Sequence, residues 1–450
     1  MSKLECFKAY DIRGKVPAEL NPELAYDIAR AFVKLLENPK KIVIGYDIRK
    51  SSVELSEGLA KGFVDLGVDV VNIGLVGTEM VYFGTPYLNA DGGIMITASH
   101  NPPEYNGMKF VRAGSVPVSS DSGLKDIEKW ILNKELPEPT ANKGKVEKVD
   151  IYDAFINNLT KFYDKNKIKP LKVVCDAGNG CVGIALEKIE KYLPIEMIKV
   201  HFEPNGDFPN GVPNPILPEN RKYSIDAIKK HNADLGVAWD GDYDRCFFFD
   251  ENGEFIEGYY IVGLLAKSIL KSNPGAKIVH DPRLVWNTLE VVKENNGVAV
   301  QSKSGHAFIK EVMRRENAIY GGEMSAHHYF RDNAYSDSGM IPFLLVLQLI
   351  SEENKKLSEL VGEMISKYPC PGEINSTVEN PKAVIEKLDK LFTDGKKDYT
   401  DGLSVEFDTW RFNVRMSNTE PLIRLNLETR GNKKLMEEKT EELLKLIREK

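Results

Sequence analysis

The stretch Lys41-Ile42-Val43-Ile44-Gly45-Tyr46-Asp47 is a short apolar run that stops at an aspartate. The same pattern returns at Lys172-Val173-Val174-Cys175-Asp176 and again at Lys277-Ile278-Val279-His280-Asp281. Apolar runs rich in β-branched residues are typical of buried parallel strands that end in a loop. The repetition predicts three related α/β units; the alternative is a chance recurrence of such strands within one α/β protein.

The three units continue in a similar way after these strands. Helical patterns follow over Ser52–Leu66 in the first unit and over Trp286–Asn295 in the third. Each unit then has a further predicted strand that leads into a polar loop: Asp91–Ile96 before Ser99, Ala233–Val237 before Asp240, and Ala318–Tyr320 before Gly321–Ser325. Ligands in α/β sheets collect beyond the carboxyl ends of the strands. Three such loops are therefore predicted to surround a shared cleft.

The chain changes character from about Cys370 onward. This region has an alternating strand at Val405-Glu406-Phe407, a longer one over Leu422–Leu427, and a charged amphipathic helix from Lys434 to the C-terminus. We therefore predict three structurally similar α/β domains with mixed sheets, plus a C-terminal α+β domain, around a central cleft. The predicted domain boundaries are 1–147, 148–253, 254–368 and 369–450.

Composition restricts the class of protein. With 450 residues the chain is too long for one ordinary domain, and a net charge of -7 argues against nucleic acid as a partner. The N-terminus lacks an apolar signal core, and no apolar run approaches the roughly 20 residues of a membrane span. The five cysteines give neither a zinc spacing nor a disulfide framework, which favours a reducing compartment. We expect a cytoplasmic protein without a membrane partner; nothing in the sequence identifies a protein partner.

Two short stretches carry most of the chemistry. Thr97-Ala98-Ser99-His100-Asn101-Pro102 presents a hydroxyl, with a histidine beside it, after the apolar strand Ile94-Met95-Ile96. Asp240-Gly241-Asp242-Tyr243-Asp244-Arg245 presents three closely spaced carboxylates after another apolar run. Carboxylates this close repel each other unless a hard cation neutralises them, and Mg²⁺ is the usual cation beside phosphate. Together the two stretches indicate phosphoryl transfer.

Both stretches also admit other interpretations. Ser99 could belong to an ordinary polar turn, and the Gly-x-Ser-x-Gly elbow of an esterase is absent here. A calcium loop fails because Arg245 occupies the position that needs glycine and a strand-like run follows it. A site that phosphorylates Asp240 itself is a minority option, because Asp244 stands where that pattern prefers Thr or Val.

Two further loops suit a sugar phosphate. Gly322-Glu323-Met324-Ser325-Ala326-His327 places a carboxylate, a hydroxyl and an imidazole within one turn, which suits adjacent sugar hydroxyls. Arg415-Met416-Ser417-Asn418-Thr419-Glu420-Pro421 groups a guanidinium with three side-chain donors, and Arg424 lies nearby, which suits a phosphate dianion. Either stretch alone could be an ordinary polar loop. Further candidate site residues are Arg13, Lys109, Arg283 and His306. Each alone could be an ordinary surface charge or turn residue, and each is a candidate only because the four loops are also present.

The four loops at 97–102, 240–245, 322–327 and 415–421 resemble, in this order, the four active-site loops of the α-D-phosphohexomutase superfamily. The likeness covers the whole chain and is closest to the branch of bacterial phosphomannomutases. Within that branch it rests on Cys6–Gly14, Gly322–Asp332 and Asp337–Pro342. Ala98 and Ala326 stand where glycine is frequent in the superfamily, and both also occur in the phosphomannomutase-like branch.

The resemblance implies a role for each matched residue. Ser99 would carry the phosphoryl group, with Mg²⁺ bound between that phosphate and the carboxylates of Asp240, Asp242 and Asp244. Charge stabilisation or proton transfer would fall to Arg13, His100, Lys109 and His306. Arg245, also a candidate catalytic residue, would hold a phosphate or orient the carboxylates. Substrate would be bound by Glu323, Ser325, His327, Arg283, Arg415, Ser417, Asn418, Thr419 and Arg424.

The resemblance also implies an activity. It is the reversible conversion of mannose 1-phosphate and mannose 6-phosphate through a phosphoserine enzyme, with hexose 1,6-bisphosphate as intermediate and activator, in the supply of GDP-mannose. A phosphoglucomutase or a dual-specificity phosphohexomutase is the main alternative. An aspartate-phosphorylating phosphatase and a non-catalytic sugar-phosphate sensor are more remote ones. In every case the ligands would be small hexose phosphates.

Overall fold

The computed structural model describes residues 4–416 and 422–449. Its strands are β1 Ile12–Lys15, β2 Lys41–Tyr46, β3 Asp69–Leu75, β4 Gly92–Ile96, β5 Tyr105–Arg112, β6 Val146–Lys148, β7 Leu171–Asp176, β8 Ile195–Val200, β9 Leu235–Trp239, β10 Cys246–Phe249, β11 Phe255–Ile256, β12 Lys277–His280, β13 Val298–Gln301, β14 Tyr320–Gly322, β15 His328–Phe330, β16 Ser336–Asp337, β17 Ile374–Thr377, β18 Lys396–Asp398, β19 Leu403–Glu406, β20 Trp410–Met416 and β21 Leu422–Thr429.

The α-helices connect these strands and cover the sheets. They are α1 Pro22–Leu35, α2 Ser52–Asp65, α3 Thr78–Tyr87, α4 Lys125–Leu132, α5 Tyr152–Leu159, α6 Val182–Glu190, α7 Lys222–His231, α8 Gly258–Ser272, α9 Trp286–Glu294, α10 His306–Glu316, α11 Met340–Glu353, α12 Leu357–Lys367, α13 Pro381–Leu391 and α14 Lys433–Arg448. None of the helices in the described parts of the chain has the length and apolar character needed to cross a bilayer.

The chain forms two compact units. Unit 1 comprises Met1–Phe255 and Tyr329–Asn354, and unit 2 comprises Ile256–His328 and Lys355–Lys450. Unit 1 contains a six-stranded sheet in the order β1-β5-β4-β2-β3-β6 and a second sheet in which β10-β9-β7-β8 are neighbours. Unit 2 contains parallel strands in the order β13-β12-β14 and an antiparallel sheet in the order β17-β21-β20-β19-β18.

The predicted internal repeat is present as a repeated strand order. β2, β7 and β12 are the three Lys–apolar–Asp strands, and each lies between two parallel neighbours. The neighbours are β3 and β4 for the first, β8 and β9 for the second, and β13 and β14 for the third. In unit 1, an antiparallel strand then extends each sheet, with β5 beside β4 and β10 beside β9, so both sheets are mixed.

Local sequence explains how these strands are covered. Helix α1 begins at Pro22, and the Asn21 side chain accepts a hydrogen bond from the Leu24 N–H, which caps the helix. Its buried face includes Ile28 and Phe32, which belong to the same core as the apolar residues of β2. Burial of this amphipathic face, rather than helix propensity, holds the helix on the sheet.

The third repeat differs slightly from the sequence prediction. Its second strand begins at Tyr320 instead of Ala318 and extends through Gly321 and Gly322, which were predicted to be loop. Their pairing with Val279 and His280 continues the parallel ladder. A Cβ at position 322 would lie 2.5 Å from a Val262 methyl group, so a glycine lets helix α8 pack closely against this strand.

The C-terminal sheet is antiparallel throughout the strands that the structure describes. Helices α13 and α14 supply Leu388, Leu443 and Ile447 to a core that also contains Phe412 and Leu425 from the sheet. The first strand of the predicted pair covers Leu403–Glu406, ending one residue earlier than expected. This region is the predicted α+β domain.

Candidate active site

Ser99 lies in the loop that leaves β4 and returns as β5. Its φ angle is +48°, in the left-handed region that non-glycine residues seldom adopt. The Thr97 hydroxyl oxygen accepts a hydrogen bond from the Ser99 N–H at 2.8 Å. Strained backbone of this kind persists only where the surrounding structure fixes it, and it concentrates at functional sites.

The Ser99 hydroxyl meets the carboxylate loop that follows β9. Ser99 Oγ donates to Asp240 Oδ2 at 2.7 Å, and His100 Nδ1 is 3.0 Å from Ser99 Oγ. The Arg245 guanidinium donates to Asp240 Oδ2 at 2.8 Å and lies 3.4 Å from Ser99 Oγ. A Cβ at Gly241 would lie 2.5 Å from the Ser99 carbonyl oxygen, so glycine allows the two loops to touch.

The three carboxylates form one buried cluster. One oxygen each of Asp240, Asp242 and Asp244 lies within 4.8 Å of the others. Lys109 Nζ donates to Asp242 at 2.7 Å and to Asp244 at 2.5 Å, while Arg245 pairs with Asp240. We call these three aspartates with Lys109 and Arg245 the acidic cluster; in it, two cations face three carboxylates.

Burial and charge act in opposite directions within the acidic cluster. Burial raises the pKa of Asp240 to about 6, although the Arg245 charge opposes this. Burial also disfavours ionisation of Asp242, but the Lys109 ammonium and the hydrogen bonds from Lys109 and Thr78 outweigh it and lower its pKa. Burial lowers the pKa of Lys109, and the charges of Asp242 and Asp244 more than reverse this, so the pKa is raised and the amine stays protonated.

The donor set fits a hard divalent cation. Asp242 Oδ1 is buried and has no hydrogen-bond partner among the described residues, while Oδ2 accepts from Thr78 Oγ1 at 2.5 Å. All three side chains offer oxygen ligands, which Mg²⁺ prefers. The structure therefore holds an acidic aspartate triad suited to Mg²⁺.

Arg13 contacts the same loop as Ser99 from the side of β1. Its guanidinium donates to the Ala98 carbonyl oxygen at 2.7 Å and to Asn101 Oδ1 at 2.6 Å. It also pairs with Asp11 at 2.6 Å. Unit 1 thus brings together the predicted residues Arg13, Ser99, His100, Lys109, Arg245 and the three aspartates.

In unit 2, the loop after β14 carries the predicted sugar contacts. Glu323 is 2 % exposed; its Oε1 accepts from the Gly305 N–H at 2.9 Å and its Oε2 lies 3.2 Å from His327 Nδ1. Ser325 Oγ is 3.3 Å from the same ring nitrogen. His306 is buried and begins helix α10, directly after Gly305.

Arg283 holds this loop from the end of β12. Its backbone N–H and Nε donate to Asp281 Oδ1 at 2.8 and 3.0 Å, and one terminal nitrogen donates to Asp281 Oδ2 at 2.8 Å. The same nitrogen lies 3.3 Å from Glu323 Oε1 and 3.2 Å from Ser325 Oγ. Burial lowers the pKa of Arg283, but the charges of Asp281, Glu373 and Glu323 outweigh this effect, and the net pKa is raised. The guanidinium is therefore a fixed cation.

Three arginines predicted to bind substrate surround one carboxylate. Glu373 lies 3.4 Å from Arg415, 3.3 Å from Arg424 and 3.5 Å from Arg283. Burial raises the pKa of Glu373, but the three guanidinium charges outweigh it and lower the pKa to about 2. We call Glu373 with these arginines the basic cluster. The predicted residues Ser417, Asn418 and Thr419 lie outside the described residues.

Sequence reasoning missed three residues that support these groups. Thr78 contacts Asp242, Glu373 gathers the arginines, and Arg49 binds the loop of Ser99. Thr78 and Glu373 have no distinctive local pattern. Arg49 had a signal, because Asp47-Ile48-Arg49 and Asp281-Pro282-Arg283 place an arginine at the same spacing after two of the repeated strands.

Family models match the chain in four consecutive parts. The phosphoglucomutase/phosphomannomutase α/β/α domains I, II and III match residues 4–138, 153–253 and 257–368, respectively. The C-terminal domain of the same family matches residues 373–445. The predicted fold class is confirmed, while the boundaries at 147, 253 and 368 stay a prediction.

Individual relatives are similar over the whole chain. A phosphomannomutase from Escherichia coli strain K12 is 52% identical over 457 residues, covering 100% of both chains. A protein named phosphohexose mutases from Xanthomonas campestris pv. campestris is 52% identical over 450 residues, covering 99% of both. The crystal structure of a phosphoglucomutase/phosphomannomutase family protein from Burkholderia thailandensis has a TM-score of 0.88 at 31% identity, covering 100% of this chain and 99% of that one. The chain belongs to the phosphoglucomutase/phosphomannomutase family.

Proposed function

We propose that this chain is a phosphomannomutase, an isomerase that interconverts mannose 1-phosphate and mannose 6-phosphate by way of phosphorylated Ser99. The observation that carries the proposal is the placement of Ser99 Oγ, 2.7 Å from Asp240 and beside Arg245 and His100. Full-length identity of 52% to the Escherichia coli phosphomannomutase supports the same activity. A hydroxyl flanked by fixed cations and carboxylates is suited to carrying a phosphoryl group.

The acidic cluster would hold Mg²⁺ through Asp240, Asp242 and Asp244, together with the phosphate on Ser99. When bound, Mg²⁺ neutralises charge on the phosphoryl oxygens and so lowers the barrier to transfer. The buried oxygen of Asp242 without a partner among the described residues supports this placement. Thr78, which donates to the other oxygen, would keep that carboxylate in one orientation.

The reaction then needs two transfers. In the first, the P–O bond to Ser99 breaks and a bond forms to the free 6-hydroxyl of mannose 1-phosphate, giving bound mannose 1,6-bisphosphate. This intermediate reorients, and the phosphoryl group at C1 moves to Ser99, leaving mannose 6-phosphate. The hydroxyl proton lost in the first transfer is returned in the second to the oxygen at C1, so the enzyme is regenerated without a net change. Hexose 1,6-bisphosphate would prime the cycle by phosphorylating Ser99.

The described contacts bear on which group moves the proton. Lys109 is held protonated by two carboxylates, so it suits charge stabilisation and not the role of a base. His100 Nδ1 lies 3.0 Å from Ser99 Oγ and accepts a hydrogen bond from Arg245 at 2.6 Å. Arg13 and Arg245 would stabilise the transferring charge. In unit 2, His306 stays the candidate for proton transfer.

The residues of unit 2 would bind the substrate. Glu323 is ionisable, buried and oriented by Gly305 and Arg283, so it can accept hydrogen bonds from two adjacent sugar hydroxyls. Ser325 and His327 would add contacts to the same sugar. Arg415 and Arg424, with Ser417, Asn418 and Thr419, would hold the phosphate that is not being transferred.

Mannose and glucose differ only at the second carbon, so sugar preference needs its own test. The Xanthomonas campestris relative, which carries the broader name, is as similar as the Escherichia coli one. A phosphoglucomutase or dual-specificity phosphohexomutase is therefore the second candidate. GDP-mannose synthesis as the use of the product and a cytoplasmic location stay predictions.

The test compares kcat/KM for mannose 1-phosphate and glucose 1-phosphate, with Mg²⁺ and a trace of hexose 1,6-bisphosphate. We expect turnover of mannose 1-phosphate, and a loss of at least about 1,000-fold in Ser99→Ala with the fold intact. Ser56→Ala is the control, because that hydroxyl donates to the Val53 carbonyl of its own helix and lies outside the site. Equal rates for both sugars would indicate the dual-specificity enzyme. No turnover of either would favour a sensor and contradict the proposal.

A further inference from the structure

Arg49, a buried residue outside the predicted site, donates hydrogen bonds to the loop that carries Ser99. Arg49 donates to the carbonyl oxygens of Ser99 at 2.9 Å, Asn101 at 2.6 Å, Pro102 at 2.7 Å and Tyr105 at 3.0 Å. Its side chain is 0% exposed. One side chain therefore satisfies three backbone acceptors of the loop and one at Tyr105, the first residue of β5.

Arg49 is itself held in place. Asp47 Oδ2 lies 3.3 Å from Arg49 Nε, and Asp47 Oδ1 accepts from the Arg49 backbone N–H at 3.0 Å. The Ser52 hydroxyl donates to the same Oδ1 at 2.7 Å. The guanidinium carbon also lies over the Phe208 ring, 5.4 Å from its centroid. A side chain fixed at both ends loses little entropy when it binds the loop, so it can hold the loop rigidly.

The third repeat contains a similar aspartate–arginine pair, whose guanidinium contacts side chains instead of backbone carbonyl groups. There Asp281 accepts from the Arg283 backbone N–H and Nε, as described, and the guanidinium then holds the side chains of Glu323 and Ser325. In both repeats the aspartate directly follows the central strand and the arginine lies two residues later. The second repeat has Gly178 at that position, and there Asp176 contacts His201 and Ser224 instead.

We propose that Arg49 is a positioning residue for phosphoryl transfer: its contacts with four carbonyl groups keep Ser99 in its left-handed conformation, with Oγ at Asp240 and Arg245. The inference rests on the proposed role of Ser99. The strained φ of Ser99 needs a compensating interaction, and the bond from Arg49 to the Ser99 carbonyl is directly adjacent to it. A misplacement of about 1 Å in such a site can cost on the order of 100-fold in rate.

The chemistry of the guanidinium makes the proposal specific. Arginine offers five donors in a rigid plane, whereas lysine offers three donors from one nitrogen. Lysine at position 49 would keep the charge but could not reach all four carbonyl oxygens. Arg49→Lys therefore tests positioning and not charge.

The experiment measures kcat and KM for mannose 1-phosphate in the wild type and in Arg49→Lys, with thermal unfolding of each. We expect kcat to fall about 100-fold while KM stays within about twofold, because the residues proposed to bind the sugar lie elsewhere. Arg30→Lys is the matched control, since Arg30 also donates to a backbone carbonyl, that of Pro137, at 2.8 and 3.0 Å. Its kcat should equal that of the wild type.

An unchanged kcat in folded Arg49→Lys would overturn the inference, as would a rise in KM with kcat preserved. If that variant does not fold, Ser52→Ala decides, because it removes a donor to Asp47 and an acceptor for Asn106 and so affects Arg49 only indirectly. We expect a fall of about threefold in kcat with KM unchanged, and no change in kcat would overturn the inference. Absence of turnover in the wild type would instead refute the proposed function, so the two failures are distinguishable.

Discussion

The acidic cluster of unit 1 and the basic cluster of unit 2 are built from the same kinds of groups in opposite proportions. In the acidic cluster, three aspartates face Lys109 and Arg245. In the basic cluster, Arg283, Arg415 and Arg424 face the single carboxylate of Glu373. Within the clusters as defined, the first has more carboxylates than cations and the second more cations than carboxylates. Carboxylates outside the basic cluster also face its arginines: Asp281 and Glu323 pair with Arg283, and Asp401 lies 3.9 Å from Arg415.

This difference indicates what each cluster lacks. Buried charges of one sign are costly unless they are paired. The acidic cluster is therefore suited to a cation, and the basic cluster to an anion such as a phosphate dianion. In both clusters a minority of opposite charges keeps the side chains in place before any ligand binds, which reduces the cost of organising the site.

The largest effect is expected from the acidic cluster. Asp242→Asn removes the charge of a carboxylate whose Oδ1 has no hydrogen-bond partner among the described residues. We expect kcat to fall at least about 100-fold. Calorimetric titration with MgCl₂ should show weakened binding in the same variant. Asp250→Asn is the control, because among the described residues that buried carboxylate accepts from Asn252 and Glu254 of its own turn. Wild-type affinity for Mg²⁺ in Asp242→Asn would show that the surplus of negative charge is not a metal site.

A smaller effect is expected from the basic cluster. Arg415→Gln should lower kcat/KM for mannose 1-phosphate about 10-fold, mainly through KM, because one charged hydrogen bond to phosphate is lost. Arg430→Gln, which alters an arginine bound to the Asp408 carbonyl, should behave as the wild type. If Arg415→Gln lowered kcat and left KM unchanged, the basic cluster would serve the transfer step instead of binding.

The smallest effect on catalysis, but a distinct one on stability, is expected at Glu373. Its pKa lies near 2 instead of 4.5, so its ionised form stabilises the fold above pH 4.5, and this contribution is lost as the pH falls toward 2. The shift corresponds to at most about 3 kcal/mol at pH 7. Urea midpoints of the wild type and Glu373→Gln should differ clearly at pH 7 and by less than half as much at pH 3. A difference independent of pH would contradict the ion-pair account; exposed Glu379→Gln should show no difference at either pH.

Much of this architecture could be predicted from local patterns. The Lys–apolar–Asp strands and the polar loops after the next strands placed Ser99, Asp240 and Glu323 at strand ends, because burial of a strand and the polarity of its loop are both encoded in neighbouring residues. The helix that was predicted over Trp286–Asn295 ends at Glu294, one residue earlier than predicted. Deviations of that size are expected where the last turn has no strong cap.

The supporting contacts could not be predicted in the same way. Arg49 reaches the carbonyl oxygens of a loop about 50 residues further along the chain, and a backbone carbonyl carries no side-chain signature. Thr78 contacts Asp242 across 164 positions. Glu373 follows a Pro-Gly pair, and its role is visible only once three arginines from distant parts of the chain converge on it. Only Arg49 had a usable signal, in its shared spacing with Arg283.

Ser99 is proposed to carry the phosphoryl group, and locating that group on the protein tests the proposal. The protein would be incubated with hexose 1,6-bisphosphate and Mg²⁺, digested, and its phosphopeptides mapped by mass spectrometry before and after acid treatment. We expect one acid-stable phosphate on Ser99, removed on addition of excess mannose 1-phosphate. An acid-labile acyl phosphate on Asp240, or an unmodified Ser99 in a protein that turns over substrate, would contradict it.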